Sequence, residues 1–253
     1  MNADKHREAA APLLPVLYED NHLLVVLKTP GILSQADDTG EPDMVTLLKD
    51  DLKVRYNKPG NVFVGLVHRL DRPVGGVMVF AKTSKAASRL SESVRSRNFE
   101  KMYVALVHGM PPKPSATLRH YLSKDAARNI VTVHERPTAD AKEAVLDYQV
   151  AASHGGLSLV VVRLHTGRPH QIRAQMAHLG CPLVYDRKYG APPAKGERDL
   201  ALWSASVGVH HPVSKEWLAF RALPPRNEPW AQFPDEAWRR AESMLAADKG
   251  SAW

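Results

Sequence analysis

Short apolar runs closed by turn-forming residues constrain the fold of this chain more than any other feature. Residues 23–27, 62–67, 77–81, 102–108, 157–164 and 200–209 are dominated by Val, Leu and other strand-favouring side chains. Runs of this length predict strands. Hairpins are predicted for 14–18 with 23–27 across Glu19-Asp20-Asn21-His22, and for 143–153 with 157–164 across His154-Gly155-Gly156. A further hairpin joins 200–209 to 217–221. Helical patterns fall at 44–56 behind the N-cap Asp43, at 84–98 with Ala87, Leu90 and Val94 on one face, at 170–179 closed by Gly180, and at 235–247. Prolines 111, 112 and 114, and residues 191–195, mark exposed loops. Many strands with few helices predict an α/β fold of the α+β type, a single mixed, mainly antiparallel sheet with flanking helices. The 253 residues suffice for one large core. Residues 14–247 read as one domain behind a frayed, disordered tail at 1–13, with no repeat or low-complexity tract.

Charge is unevenly spread along the chain. Residues 1–62 hold 7 Lys and Arg against 10 Asp and Glu, a net of −3, whereas 63–253 hold 27 against 17, a net of +10. A basic body favours an acidic partner, of which nucleic acid is the commonest, although a solubilising surface looks similar. The single cysteine, Cys181, excludes an internal disulfide and a cysteine-rich metal site. With no apolar stretch of membrane-spanning length and no signal pattern at the N-terminus, no membrane association and a reducing cytoplasm are expected.

Three clusters carry chemistry. In His68-Arg69-Leu70-Asp71-Arg72-Pro73-Val74-Gly75-Gly76 an acid sits between two arginines before a Pro-Gly turn. Neighbouring guanidinium groups favour a carboxylate anion, so Asp71 reads either as a nucleophile or base, or as half of a structural ion pair. In Thr166-Gly167-Arg168-Pro169-His170-Gln171-Ile172-Arg173 a sharp turn opens a helix whose first turn offers N–H groups and basic side chains to a phosphate or a carboxylate, unless it is merely a solvated basic surface. In Lys101-Met102-Tyr103 the tyrosine heads an apolar strand, as a core ring or as a ring that stacks under a base and offers its hydroxyl for proton transfer. HExxH, Walker-type, GxGxxG and GxSxG patterns are missing, and His165, His170 and His178 lack metal spacing as a set, so no cofactor and no metal are expected.

Taken in order from about residue 14 to 223, these runs resemble the RluA family of pseudouridine synthases, together with Tyr103-Val104-Ala105-Leu106-Val107-His108-Gly109, Glu19-Asp20-Asn21-His22-Leu23-Leu24-Val25-Val26 and Asp186-Arg187-Lys188-Tyr189-Gly190. The resemblance implies that Asp71 is the catalytic aspartate, Tyr103 the active-site tyrosine and Arg173 the cation that pairs with the aspartate. It implies that Arg69 helps displace the target base, that Ile172 lines the uracil pocket, and that Arg72, Arg168, His170 and Gln171 contact RNA. Two departures stand out: Gly75 where the family commonly has Ser, and Tyr185 where it commonly has Gly. Both put the RNA substrate in question more than the activity.

The reaction implied is the isomerisation of uridine to pseudouridine in structured rRNA or tRNA, without cofactor. A carboxylate attacks C1′ or C6, or deprotonates C2′, and the base must first leave its stack. The small RNA-binding domain that many relatives carry ahead of the catalytic one is not expected here, since only about 13 residues precede the first strand. A monomer is expected. The alternatives are a non-catalytic RNA-binding or RNA chaperone protein on the same scaffold, which a lost Asp71 would have favoured, and a hydrolase of the nucleoside bond.

Overall fold

The first hairpin forms as its sequence predicts. β1 (Val16–Glu19) pairs antiparallel with β2 (Leu23–Lys28), and Asp20 closes the turn by accepting the N–H groups of His22 and Leu23, each at 2.7 Å. The computed structural model describes residues 14–190 and 199–247; the predicted tail at 1–13 and the loop at 191–195 lie outside the described residues. Then follow α1 (Met44–Arg55), β3 (Gly65–Leu66), β4 (Gly75–Ala81), α2 (Ser84–Arg95), β5 (Phe99–His108), β6 (Ser115–Asp125), β7 (Ile130–His134), β8 (Lys142–His154), β9 (Leu157–Leu164), α3 (Gln171–His178), β10 (Leu202–His210), β11 (Trp217–Arg221) and α4 (Asp235–Ala246). Asp43 caps α1 by accepting from Val45 and Thr46, as expected of an Asp before a helix.

The strands form one sheet in the order β1-β2-β4-β10-β5-β9-β8-β6-β7, with β11 beside β10 and β3 beside β4. Every pairing is antiparallel except β4 with β10, where Gly75 and Gly76 meet Trp203 and Ser204. Alternation along β4 sends Met78 and Phe80 to α1 on one face, against Met44, Leu48 and Leu52, and Val77 and Val79 to α2 on the other, against Ala86 and Leu90. The sheet is thus covered on both faces, with α3 on the face of α1, where Ile172 and Met176 join the same apolar cluster. α4 packs on β8 and β9 from the opposite side, burying Trp238. Among the described residues no helix is long and apolar enough to cross a membrane.

Two expectations need correction. Residues 62–67 predict a full strand, yet only Gly65–Leu66 pair with β4. β10 takes the near end of that edge, and the His68 imidazole takes its middle, Nε2 accepting the N–H of Val79 at 3.0 Å. The second is β6 and β7, to which no strand was assigned after the 111–114 loop. Leu118, His120 and Leu122 alternate inward along β6, a period-2 signal in an otherwise polar stretch.

His68 carries a testable consequence for stability. With Nε2 accepting, the proton of the neutral ring sits on Nδ1, which is buried without a hydrogen-bond partner. Burial, reinforced by the Lys101 ammonium, pulls this imidazole down to about 3. The unfolded chain binds the proton at an ordinary histidine pKa, so the contribution is present above about pH 6.5 and is lost as pH falls toward 3. Each pH unit in that window should cost up to about 1.4 kcal/mol, read as urea midpoints at pH 7, 5.5 and 4.5. A flat midpoint across that range contradicts a neutral buried His68.

Candidate active site

The loop between β3 and β4 is fastened before any side chain of the site is considered. Ser34 clamps Leu70, its Oγ donating to the Leu70 carbonyl at 2.7 Å and accepting the Leu70 N–H at 3.0 Å. Gly31 donates its N–H to the Arg72 carbonyl at 2.8 Å, and the Val74 N–H closes a turn on the Asp71 carbonyl at 2.9 Å. Beneath the loop lies Lys28, fully buried, whose Nζ donates to the carbonyls of Thr29, Arg72 and Val74 at 3.2, 3.0 and 2.8 Å. Burial draws its ammonium down to about 7, against the attraction of Asp71 and Asp199. Three carbonyl acceptors match the three donors of an ammonium, so the charged form is the one this cage accommodates.

Asp71 emerges from this loop with 30% of its side chain exposed. Its Oδ2 accepts from Arg173 Nη1 at 3.1 Å, and His170 Nε2 stands 3.9 Å away. Arg173, on the first turns of α3 and 6% exposed, is itself gripped by Asp186, with Nε to Oδ2 and Nη2 to Oδ1 both at 2.8 Å. That fork-on-fork pair fixes the guanidinium plane and directs its remaining nitrogen at Asp71. Both carboxylates raise the already high pKa of Arg173, which burial alone would lower. Tyr189 lies under the guanidinium, 5.3 Å from ring centre to carbon, and its hydroxyl sits 2.7 Å from His170 Nδ1. The same hydroxyl accepts the N–H of Val131 at 2.9 Å, which ties His170 to β7. Burial lowers the pKa of His170 despite Asp71, so the ring is neutral at pH 7.

Tyr103 is buried on β5, in the cluster that holds Leu70 and Ile172. Burial foremost, and the charge of Asp71, raise its phenol above the ordinary value. It remains a hydroxyl at neutral pH and can donate a hydrogen bond, not act as a phenolate base.

Not every residue singled out in the sequence reaches Asp71. Arg69 is exposed, and Arg72 turns away, its Nε on the Gly31 carbonyl at 3.0 Å and Nη2 3.4 Å from Glu41. The cation on Asp71 is therefore a residue 102 positions away, not its sequence neighbours. Gln171 is buried, its Oε1 accepting from Thr166 Oγ1 and the Arg168 N–H and its Nε2 donating to the Val145 carbonyl, so in this structure it builds the turn before α3. Arg168 lies at the surface of that turn with Nε on the Glu143 carbonyl at 2.8 Å. His170, expected as the first helical residue, instead precedes α3 in a left-handed conformation (φ 49°), which turns its ring back toward Asp71. Sequence reading did not find the roles of Lys28, Ser34, Asp186 and Tyr189; the run Asp186-Arg187-Lys188-Tyr189-Gly190 was the available signal for the last two.

The departure at Gly75 has a steric cause, and the one at Tyr185 runs against the local backbone. A Cβ on Gly75 would lie 2.3 Å from the Trp203 ring, so this chain's tryptophan occupies the space a serine would need. Tyr185 takes a left-handed φ of 64°, a conformation that glycine adopts without cost.

A separate group, His120, Glu135 and His178, brings three possible metal-ligand atoms within 4.8 Å of one another at the far end of α3. Gln175 Nε2 stands 2.9 Å from His120 Nδ1 and, as a donor, places the His120 proton on Nε2, facing Glu135. His178 Nε2 lies 2.6 Å from the same carboxylate. One carboxylate is thus set between two imidazoles, which the one-dimensional spacing of the histidines did not reveal.

Comparison with known proteins follows the same lines. A sequence model of the RNA pseudouridylate synthase family matches residues 22–178. Ribosomal large subunit pseudouridine synthase C of Buchnera aphidicola is 34% identical over 217 residues, covering 82% of this chain and 66% of that protein. The uncharacterized RNA pseudouridine synthase YhcT of Bacillus subtilis is 31% identical over 212 residues, covering 83% and 68%. The chain spans about two thirds of the length of these curated relatives. Among solved structures, human RNA pseudouridylate synthase domain containing 4 superposes with a TM-score of 0.72 at 21% identity, covering 90% of this chain and 93% of that one.

Proposed function

The chain belongs to the RNA pseudouridylate synthase family, and on that premise we propose that it isomerises uridine to pseudouridine in ribosomal RNA with Asp71 as the attacking group. One observation carries this reading. The Asp71 carboxylate stands at a solvent-reachable loop with Oδ2 fixed by Arg173, while Oδ1 has no hydrogen-bond partner among the described residues. A carboxylate held on one side and open on the other is arranged to meet a sugar carbon or a pyrimidine ring. In the isomerisation the N1–C1′ bond breaks and a C5–C1′ bond forms; the proton lost at C5 is balanced by one gained at N1.

The remaining residues take roles that their positions support. Arg173 orients Asp71 and is itself held by Asp186. Tyr103 and Ile172 form the apolar wall beside Leu70, against which a flat base can lie. Arg69, exposed two residues before Asp71, is placed to enter the RNA helix as the base leaves it, and Arg72 and Arg168 supply positive charge at the rim. His170 stands with Nε2 on the side of Asp71. The ribosomal substrate is supported by two relatives that are ribosomal large subunit pseudouridine synthases, C of Buchnera aphidicola and D of Haemophilus influenzae. A cytoplasmic location and a monomeric state complete the proposal. An RNA chaperone on the same scaffold would have no use for the buried Arg173–Asp186 pair aimed at Asp71.

The test is a pseudouridine map of ribosomal RNA from a strain lacking the gene, beside wild type. At least one site should vanish and should return when the gene is restored. An identical map in ribosomal RNA, with a site lost from transfer RNA, would move the substrate; identical maps in both would overturn the activity.

A further inference from the structure

Lys101 is a cation that the arrangement above leaves unused. Phe99, Lys101 and Tyr103 alternate along β5 and so share one face of it. Phe99 meets the His68 ring at 5.0 Å between centres, and Tyr103 lies in the charge field of Asp71. Lys101, between them, therefore sits beneath the 68–71 loop. On its other side is the turn before α3: a Cβ built on Gly167 would come within 2.9 Å of the Lys101 ammonium. The ammonium occupies a slot between the two motif segments, opening at the exposed Gly167 next to Arg168. Among the described residues it makes no hydrogen bond or ion pair. Burial alone lowers its pKa, with no carboxylate near enough to oppose the shift. A largely buried ammonium without an anion is costly to the folded state; its slot opens where RNA would lie.

We propose that Lys101 binds a backbone phosphate of the RNA beside the nucleotide that enters the Asp71 site. The proposal rests on the RNA-modifying function above. The slot suits a phosphate oxygen better than a base edge, because Lys presents a compact charge with three donors and no acceptor. A side chain at position 167 would press on the ammonium.

The test uses full-length protein and ribosomal RNA purified from a strain lacking the gene. Lys101→Met keeps the chain length and removes the charge. RNA affinity at about 0.1 M salt should fall about tenfold or more. The slope of log affinity against log salt should flatten by about 0.7 to 0.9, the signature of one lost phosphate contact. Melting temperature should hold or rise, since an unpaired buried charge has gone. Gly167→Ala should push the ammonium aside and weaken binding in the same direction, and should add nothing in the Lys101→Met background. Unchanged affinity and slope in Lys101→Met, or a fall in melting temperature as the only effect, overturns the proposal. Loss of affinity and slope in Lys101→Met supports the phosphate site even if wild type forms no pseudouridine. Native binding by Lys101→Met alongside an active wild type removes Lys101 alone and leaves the proposed activity standing.

Discussion

Asp71→Asn should reduce pseudouridine formation by more than about a thousandfold, to below detection, as expected when the attacking group of a catalytic unit is removed. Asparagine preserves size and can still accept a hydrogen bond from Arg173, which keeps its bidentate partner Asp186. The fold should therefore survive with a cost of about 1–2 kcal/mol, the scale of one partly exposed charged hydrogen bond. Affinity for RNA should stay within a few fold. Melting temperature, RNA binding and isomerisation measured on one preparation decide the matter. If Asp71 served only to pair with Arg173, activity would decline merely with the folded fraction. A folded, RNA-binding variant that turns over normally would sink the mechanism.

Asp186→Ala should be the most damaging single change to stability near the site. The Asp186 side chain is fully buried and supplies both oxygens that hold Arg173. Its removal leaves a buried guanidinium with only the half-open Asp71, at a cost of about 3–5 kcal/mol. For a chain of this size that is a fall in melting temperature on the order of 10 °C. Activity should drop beyond the unfolded fraction, because Arg173 no longer has a fixed plane from which to position Asp71. Replacing both partners, Arg173→Met with Asp186→Leu, should restore much of the melting temperature without restoring turnover. Should Asp186→Ala melt within a degree or two of wild type, the buried pair is not what holds this part of the site.

The strands that are apolar on both faces were legible from composition, because burial on both sides leaves a continuous Val and Leu run, as in β4 and β5. β6 was not, since half its residues face water and its inward positions include His120. Residues 62–67 misled for the opposite reason. They carry strand-like side chains, but the edge they would pair with is taken by β10 and by His68, facts set by distant parts of the chain. Asp71, Tyr103 and Arg173 were singled out from motifs, and the fold brings all three into one region. The pairing of Arg173 with Asp71 was implied by the family resemblance; what aims Arg173 at it was not legible. A guanidinium's direction depends on which carboxylate grips it from behind, and Asp186 lies 13 residues further along the chain from Arg173. Lys28 escaped notice because a lysine in a strand reads as solvated, whereas this one is buried against three carbonyls.

The position of β10 has a consequence for how the molecule comes into being. This strand inserts between β4 and β5, and Ser204 Oγ bonds the Val77 carbonyl across 127 residues of chain. Until it arrives, the strand that follows Asp71 and the strand that bears Tyr103 have no common neighbour, and the two edges of the sheet's central gap stand open. Closing so long a loop is slow, and open edges invite association with other chains. A chain that ends short of residue 202 therefore carries Asp71, Tyr103 and Arg173 but lacks the strand that lies between β4 and β5.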